Sequence, residues 1–195
     1  MDVVEETVRY TYRLRPGRTA LSALANEWHR CRWLWNECVR LQRDGHRPTM
    51  KMLGAELTAA RSRAPWLREG SQVAQQQMLR SYDQALRHSF QVKGRGRPTM
   101  KSRRRTPPSL EYTKRGFSIR DGRLVLPKGV SIPVVWSREL PSEPTSVRVY
   151  RDSLGHWYAS FVVRREREEL PGVEGGIGID WGVSATATTT SPEHD

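Results

Sequence analysis

Cysteine is nearly absent from this sequence: Cys31 and Cys38 are the two it has. Two cysteines make neither a disulfide scaffold nor a four-thiolate zinc centre. Seven positions apart on a helix, they share one apolar face, and buried thiols are the expected outcome. No apolar run approaches the ~20 residues of a membrane span, and mean hydropathy is −0.70. The opening residues, MDVVEETVRY, lack a basic stretch followed by an apolar one. A secretory signal and a membrane partner are therefore not expected, and the cytoplasm is the expected compartment. His29, His46, His88, His156 and His194 follow no metal-binding spacing. Hydrophobic residues make up 36% of the chain, below the usual ~45–50%, so any core is modest. A length of 195 residues suits one domain or two small ones.

Positive charge is what the chain has in excess. It carries 33 Lys and Arg against 21 Asp and Glu, for a net charge of +12. The excess is one-sided. Residues 1–105 hold 22 cations and 9 acids, and residues 106–195 hold 11 and 12. A one-sided basic surface points to a polyanionic partner, nucleic acid first. Arg outnumbers Lys 28 to 5. Arg forks onto phosphate and base edges, but a GC-rich genome produces the same bias.

Hydrophobic periodicity divides the chain. Residues 7–15 alternate, with Val8, Tyr10, Tyr12 and Leu14 on one side and Arg9, Thr11, Arg13 and Arg15 on the other. That predicts a half-buried strand ending at Pro16-Gly17. A helix to about Asp44 follows, with Thr19 as candidate N-cap. Its apolar stripe is Leu21, Leu24, Ala25, Trp28, Cys31, Trp35, Cys38 and Val39. Thr49 starts a second helix to about Arg63, with Met52, Leu53, Leu57 and Ala60 inward, and Ala64-Pro65 breaks it. Ser71 starts a third, over 72–92, with Met78, Leu79, Tyr82, Ala85, Leu86 and Phe90 on one side.

Residues 93–105, KGRGRPTMKSRRR, hold seven cations and no acid. Beyond Pro107-Pro108 the pattern turns to short strands: 110–113, 116–119, 123–126, 131–136, 146–151 and 157–163. Turn signals stand at Asp121-Gly122, Lys128-Gly129 and Leu154-Gly155. This spacing suggests a small barrel or sandwich. Residues 166–176 read as a charged linker, and GIGIDWGVSATATTT as a buried strand, a turn and a second strand. A lone first strand cannot bury itself. It is expected to join the later strands, which makes the helices an insertion into a β-domain.

Several residues carry chemistry. Asp180 sits in an apolar strand between Gly178 and Gly182, where burial is costly without a partner. It either caps backbone N–H groups, ligates catalytic Mg²⁺ as in RNase H-like nucleases, or meets phosphate as in actin-like ATPases. Lys93, Arg95, Arg97, Lys101, Arg103, Arg104 and Arg105 form either a solvated linker or a set of phosphate contacts, joined by Arg30, Arg32 and Arg40 on the first helix. Gln72 and Gln75-Gln76-Gln77 open the third helix, either as a solvated first turn or as readers of adenine in the major groove; Gln72 and Gln76 are the candidate base readers. Trp33, off the apolar stripe, is either a packing residue or a base-stacking platform.

Taken in order, these segments resemble the TnpB, or OrfB-type, family of insertion-sequence proteins. Those are RNA-guided DNA nucleases, often labelled transposases, related to type V CRISPR effectors. Tyr12-Arg13-Leu14-x-Pro16 resembles the family's opening R-L-Y-P strand. Cys31-Arg32-Trp33-Leu34-Trp35-Asn36 is similar to its helix with a terminal aromatic-Asn pair, and Ala85 and Phe90 to its A-x-x-x-F positions. Gly96-Arg97-Pro98-x-Met100-Lys101-Ser102-Arg103 resembles its G-x-P-x-[aromatic]-K segment. Gly122-Arg123-Leu124-x-Leu126-Pro127-Lys128 resembles its G-x-L-x-[I/L]-P-K hairpin. Trp157-Tyr158-Ala159-Ser160-Phe161 is similar to its W-Y-x-S-F strand, and Gly178-Ile179-Asp180-x-Gly182 to the opening of its RuvC nuclease domain. Arg15, Gly17 and Met100 depart from the pattern.

The resemblance implies an α+β fold. Residues 1–16 would be the first strand of a wedge-type β-barrel and 17–105 an inserted helical recognition domain. Residues 106–170 would complete the barrel, and 171–195 would begin the RNase H-like RuvC domain. It implies guide RNA and target double-stranded DNA as partners in a bacterial cytoplasm, at the nucleoid, with the basic 93–105 segment beside the guide and its heteroduplex. It implies Mg²⁺ in a complete nuclease site, with Asp180 as catalytic carboxylate and metal ligand. Two-metal hydrolysis needs several converging carboxylates. Glu193 and Asp195 do not replace the missing ones, and no zinc site is present in this sequence. This chain alone is therefore expected not to cut. The rival expectations are a truncated or domesticated, catalytically inactive RNA/DNA-binding protein of the same family, and a fragment of an actin-like ATPase. The oligomeric state is not readable from the residues.

Overall fold

The computed structural model describes residues 3–45, 48–168, 179–180 and 188–189. The chain divides into two compact units. One is Thr7–Arg165; the other combines Met1–Glu6 with Glu166–Asp195.

Helices and sheet share the larger unit. Strand β1 (Val3–Leu14) precedes helices α1 (Arg18–Arg43), α2 (Met50–Arg63), α3 (Pro65–Arg68) and α4 (Gln72–Gln91). Strands β2 (Ser109–Thr113), β3 (Ser118–Arg120), β4 (Arg123–Leu126), β5 (Val130–Val135), β6 (Ser146–Arg151) and β7 (Trp157–Glu168) come after. The seven strands form one curled, half-barrel sheet in the order β2-β6-β7-β1-β5-β4-β3. Strand β1 ladders to β5, with Arg13 opposite Val135 and Leu14 opposite Val134, and neighbours β7 on its other side. The four helices are thus inserted in sequence between β1 and the strands it joins.

Alternation holds along β1. Tyr12 and Leu14 are buried and Tyr10 half-buried, while Arg9, Thr11, Arg13 and Arg15 are exposed. The inner face is aromatic: the Tyr12 ring lies 4.7 Å from Trp136 and 5.9 Å from Phe161. Ile132, Val147, Val149 and Ala159 complete that layer, each fully buried or within 1% of it. Asp121 and Gly122 both take positive φ, 49° and 69°, which suits the two-residue hairpin turn between β3 and β4. Gly116 is required by close approach: a Cβ there would stand 2.7 Å from Val73 Cγ1 on α4.

The helical core follows the predicted stripe from Leu24 to Val39, with differences at its edges. Leu21, Ala25, Met52 and Phe90 are exposed rather than inward. Leu21 and Ala25 lie one turn apart on the rim of the α1 stripe, Met52 is in the first turn of α2, and Phe90 is at the end of α4. Gly17, not Thr19, caps α1, because the chain turns into the helix directly after Pro16 and Leu21 N–H already bonds Gly17 C=O. Thr49 and Ser71 cap α2 and α4 through their hydroxyls, which accept from Met52 and Ala74 N–H. Cys31 and Cys38 are buried free thiols. Burial pushes Cys31 well above the ordinary thiol value and Cys38 up to about 12, so both stay protonated.

Two strand limits also differ from the periodicity. β1 starts at Val3 and β7 runs to Glu168, taking in the first residues of the expected linker. The two strands are neighbours and each has 12 residues, so each supplies the other with backbone partners regardless of side-chain polarity.

In the second unit, β8 (Ile179–Asp180) pairs antiparallel with β9 (Thr188–Thr189), Asp180 lying opposite Thr188. The rest of the Gly178–Gly182 motif, the turn, and His46, Glu193, His194 and Asp195 lie outside the described residues. Among the described residues no helix is long and apolar enough to cross a membrane.

Candidate nucleic-acid interface

The basic segment is fastened to α1 by two adjacent side chains. Trp35 Nε1 donates to Thr99 C=O at 2.8 Å. Asn36 grips the Lys101 backbone from both sides: its Oδ1 accepts from Lys101 N–H at 2.8 Å, and its Nδ2 donates to Lys101 C=O at 3.2 Å. An Asn amide has one acceptor and two donors, and here it satisfies a peptide unit as a strand would. Ser102 then forms a turn, its hydroxyl accepting from Arg105 N–H at 2.9 Å. A segment held this way is not a free linker.

Lys101 points inward. Its ammonium lies 3.7 Å from the Trp35 ring centroid, 5.4 Å from that of Trp28, and 3.8 Å from Met78 Sδ. Burial holds it below the ordinary lysine value, at about 8, while the two indole faces favour the cation. Lys93, Arg95, Arg97, Arg103, Arg104 and Arg105 are all exposed. One cation of the seven is thus an anchor and six face outward. Arg97 also stands 5.7 Å over the Phe90 ring, and Arg95 Nη1 lies 3.4 Å from His88 Nδ1.

The three arginines singled out on α1 have different surroundings. Arg30 is largely buried and cross-ties the α2–α4 corner, donating from Nε to Trp66 C=O at 2.6 Å and from Nη2 to Glu69 at 3.0 Å. Arg40 forks onto Glu37 at the surface. Arg32 contacts His29 Nδ1 at 3.1 Å and lines an open cleft of about 370 Å³ with Trp28, His29, Arg103, Pro108 and Arg151. Among the described residues no carboxylate lines it. Partial burial, then the charges of Arg32 and Arg103, hold His29 below the ordinary imidazole value. The cleft is built to receive negative charge, and it joins α1, the basic segment and β6.

Gln72 and Gln76 are exposed one turn apart on α4. Gln75 is fully buried: its Nε2 donates to Leu67 C=O at 2.8 Å and its Oε1 accepts from Arg61. It is a structural residue. Trp33 is half-buried and meets Trp66 edge-on at 5.5 Å, which is packing between α1 and α3.

Residue reasoning missed Glu27 and Arg151, and met Asn36 only as the end of the aromatic-Asn motif. Glu27 is buried, and its Oε2 accepts from Ser71 N–H at 2.9 Å; burial raises its carboxyl above the ordinary value. The stripe positions Leu24, Glu27, Cys31 and Leu34 marked it, because an acid in that row must be buried. Arg151 had no marker, since the cleft forms only in three dimensions. Asp180 lies in β8, and its side chain is outside the described residues. Among the described residues no group of three His, Cys, Asp or Glu could hold a metal ion.

No family model matches the chain. It is similar to a Streptomyces pristinaespiralis protein named "Putative RNA-guided DNA endonuclease", with 34% identity over 139 residues, covering 67% of this chain. The chain spans about a third (34%) of that relative's length. An α+β protein with a basic segment clamped beside a curled sheet thus shares ancestry with a protein of the RNA-guided endonuclease class. That similarity is consistent with a TnpB-like protein.

Proposed function

We propose that this chain is the nucleic-acid-binding N-terminal part of a TnpB-like RNA-guided DNA endonuclease, holding guide RNA and target double-stranded DNA. The observation that carries this is the fastening of the basic segment: Trp35 and Asn36 hold residues 99–101 on α1 while six cations stay exposed. Fixed cations beside a cleft with no carboxylate among its described lining residues read phosphate charge and helix shape rather than base sequence. Exposed Gln72 and Gln76 are the candidates for reading a short duplex motif. In this reading residues 1–16 and 106–170 form the wedge barrel, 17–105 the recognition insert and 171–195 the start of RuvC. Asp180 would supply one carboxylate of a Mg²⁺ site whose other ligands lie elsewhere. The Mg²⁺ chemistry would be activation of water and stabilisation of the leaving oxygen.

The test is to express the chain with its flanking genomic DNA, purify it, and sequence the RNA that stays bound. A discrete structured transcript from the adjacent locus is expected. Recovery without nucleic acid, or with random cellular RNA, contradicts the reading.

A further inference from the structure

The outer face of the sheet carries a second cationic surface, whose arginines lie outside every motif of the sequence. Alternation sends Arg9 and Thr11 of β1 to the side opposite Tyr10 and Tyr12. It sends Arg148 and Tyr150 of β6 outward from Val147 and Val149, and Tyr158 and Ser160 of β7 outward from Ala159 and Phe161. Register places Arg148 opposite Ser160 and Tyr150 opposite Tyr158, with Ser109 of β2 opposite Tyr150. Thr11 Oγ1 donates to Ser160 Oγ at 3.2 Å, joining β1 to this group.

Together Arg9, Ser109, Arg148, Tyr150, Arg151 and Ser160 line a shallow hollow of about 340 Å³. Arg9, Arg148 and Arg151 are exposed. Arg148 is shared with Glu111 at 3.3 Å. Arg9 and Arg151 have no ion-pair partner among the described residues. The nearby Asp152 carboxylate is engaged by His156 N–H at 2.8 Å and by Tyr158. Tyr150 and Tyr158 are half-buried and stack on each other, centroids 5.6 Å apart and planes 24° apart. Arg151 and Pro108 also line the cleft that holds Arg32 and Arg103, so the hollow continues into it.

Guanidiniums along a groove lined by one tyrosine ring, Tyr150, which Tyr158 backs by stacking, suit a strand whose bases are unstacked. In a duplex each base face is covered by its neighbours and cannot reach a ring at the bottom of a groove. We propose that this hollow binds a single-stranded nucleic-acid segment, with Arg9 and Arg151 on phosphates and Tyr150 beneath a base. The proposal rests on the reading of the chain as nucleic-acid-binding, and adds to it a site and a strand state.

The test uses the full chain and three probes: an oligouridine, an oligothymidine of equal length, and a duplex DNA. The Arg9→Gln variant, which spares the cleft shared with Arg32 and Arg103, should bind both single strands more weakly, with the slope of log K against log salt reduced by about 0.7. Tyr150→Ala should weaken single-strand binding roughly 5- to 100-fold and Tyr150→Phe hardly at all, because stacking needs the ring and not the hydroxyl. Duplex affinity should change less than about twofold, since its phosphates would be held at the basic segment. Tighter binding of oligouridine would assign the strand as RNA, and of oligothymidine as DNA. The proposal is overturned if the arginine variant keeps wild-type single-strand affinity, if duplex binding falls equally, or if Tyr150→Phe loses as much as Tyr150→Ala. Loss of binding in a basic-segment variant, with both hollow variants unaffected, overturns the hollow and leaves the proposed function standing. A wild-type chain that binds none of the probes overturns both.

Discussion

The sheet and the helical insert are held together by different chemistry. The inner face of the sheet is apolar and aromatic, and its uniqueness comes from alternation and register: moving a strand by one residue would turn Tyr12 and Leu14 to solvent. The helical insert buries polar side chains at its corners. Glu27 accepts from Ser71, Gln75 joins Leu67 to Arg61, and Lys101 sits against Trp35. The difference follows from what each part must do. A strand has a ladder to align it. The α2–α3–α4 corner and the 99–101 segment have none, so side-chain amides and a carboxylate supply the missing backbone partners.

If this contrast is right, removing a buried polar group should cost most in the insert. Gln75→Leu keeps the volume but removes both bonds of the buried amide, to Leu67 C=O and from Arg61, which keep only their bond to each other and that of Gly70 N–H, and should destabilise by about 1–3 kcal/mol. Its counterpart in the sheet, Ser160→Ala, should stay within about 0.5 kcal/mol, because Thr11 is exposed and can turn to water. Urea denaturation of both variants makes the comparison, and equal costs would break it.

Glu27→Ala removes the acceptor at Ser71 and should cost about 1–3 kcal/mol. Glu27→Gln keeps an acceptor and removes the buried charge. The folded carboxyl is held above its ordinary value of 4.5. Its contribution is therefore full below about pH 4.5 and is lost as pH rises through the raised folded value. The Gln variant should gain on wild type as pH rises above about 4.5, which thermal denaturation over a pH series starting below that value would register. A constant difference would show that Glu27 is not held in this way.

Asn36→Ala should cost about 1–2 kcal/mol and, more tellingly, should abolish the hydrogen-exchange protection of the Lys101 amide. Lys101→Met separates the ammonium from the backbone clamp. With the folded amine at about 8 and its ordinary value 10.5, the unfolded chain binds more protons between those values. Wild-type stability should therefore rise relative to Lys101→Met across that window and run parallel below it. A pH-independent difference would place the Lys101 ammonium in water.

The same contrast explains what the sequence disclosed. Strand β1, its outward arginines and its union with the later strands were legible because a period of two survives any surroundings. So were the Thr49 and Ser71 caps, which are local. The α1 stripe was legible from Leu24 to Val39 but not at Leu21 and Ala25, where exposure depends on what packs alongside. In the candidate interface the seven cations of 93–105 were visible as composition. That Lys101 turns inward was not visible, because the bonds that hold the segment, Trp35 to Thr99 and Asn36 to Lys101, span 64 and 65 positions. Arg151 entered the cleft with no signal of its own.

The central claim is that the fastened basic segment binds phosphate at equilibrium. It is tested most directly by the salt dependence of RNA affinity for wild type and for a variant with Arg95, Arg97, Arg103, Arg104 and Arg105 replaced by Gln, leaving the Lys101 anchor in place. If three of the five arginines hold phosphates, the slope of log K against log salt falls by about 2 between roughly 50 and 300 mM salt. An unchanged slope, with any loss confined to the association rate at low salt, would contradict the claim and make the segment a steering charge rather than a binding surface.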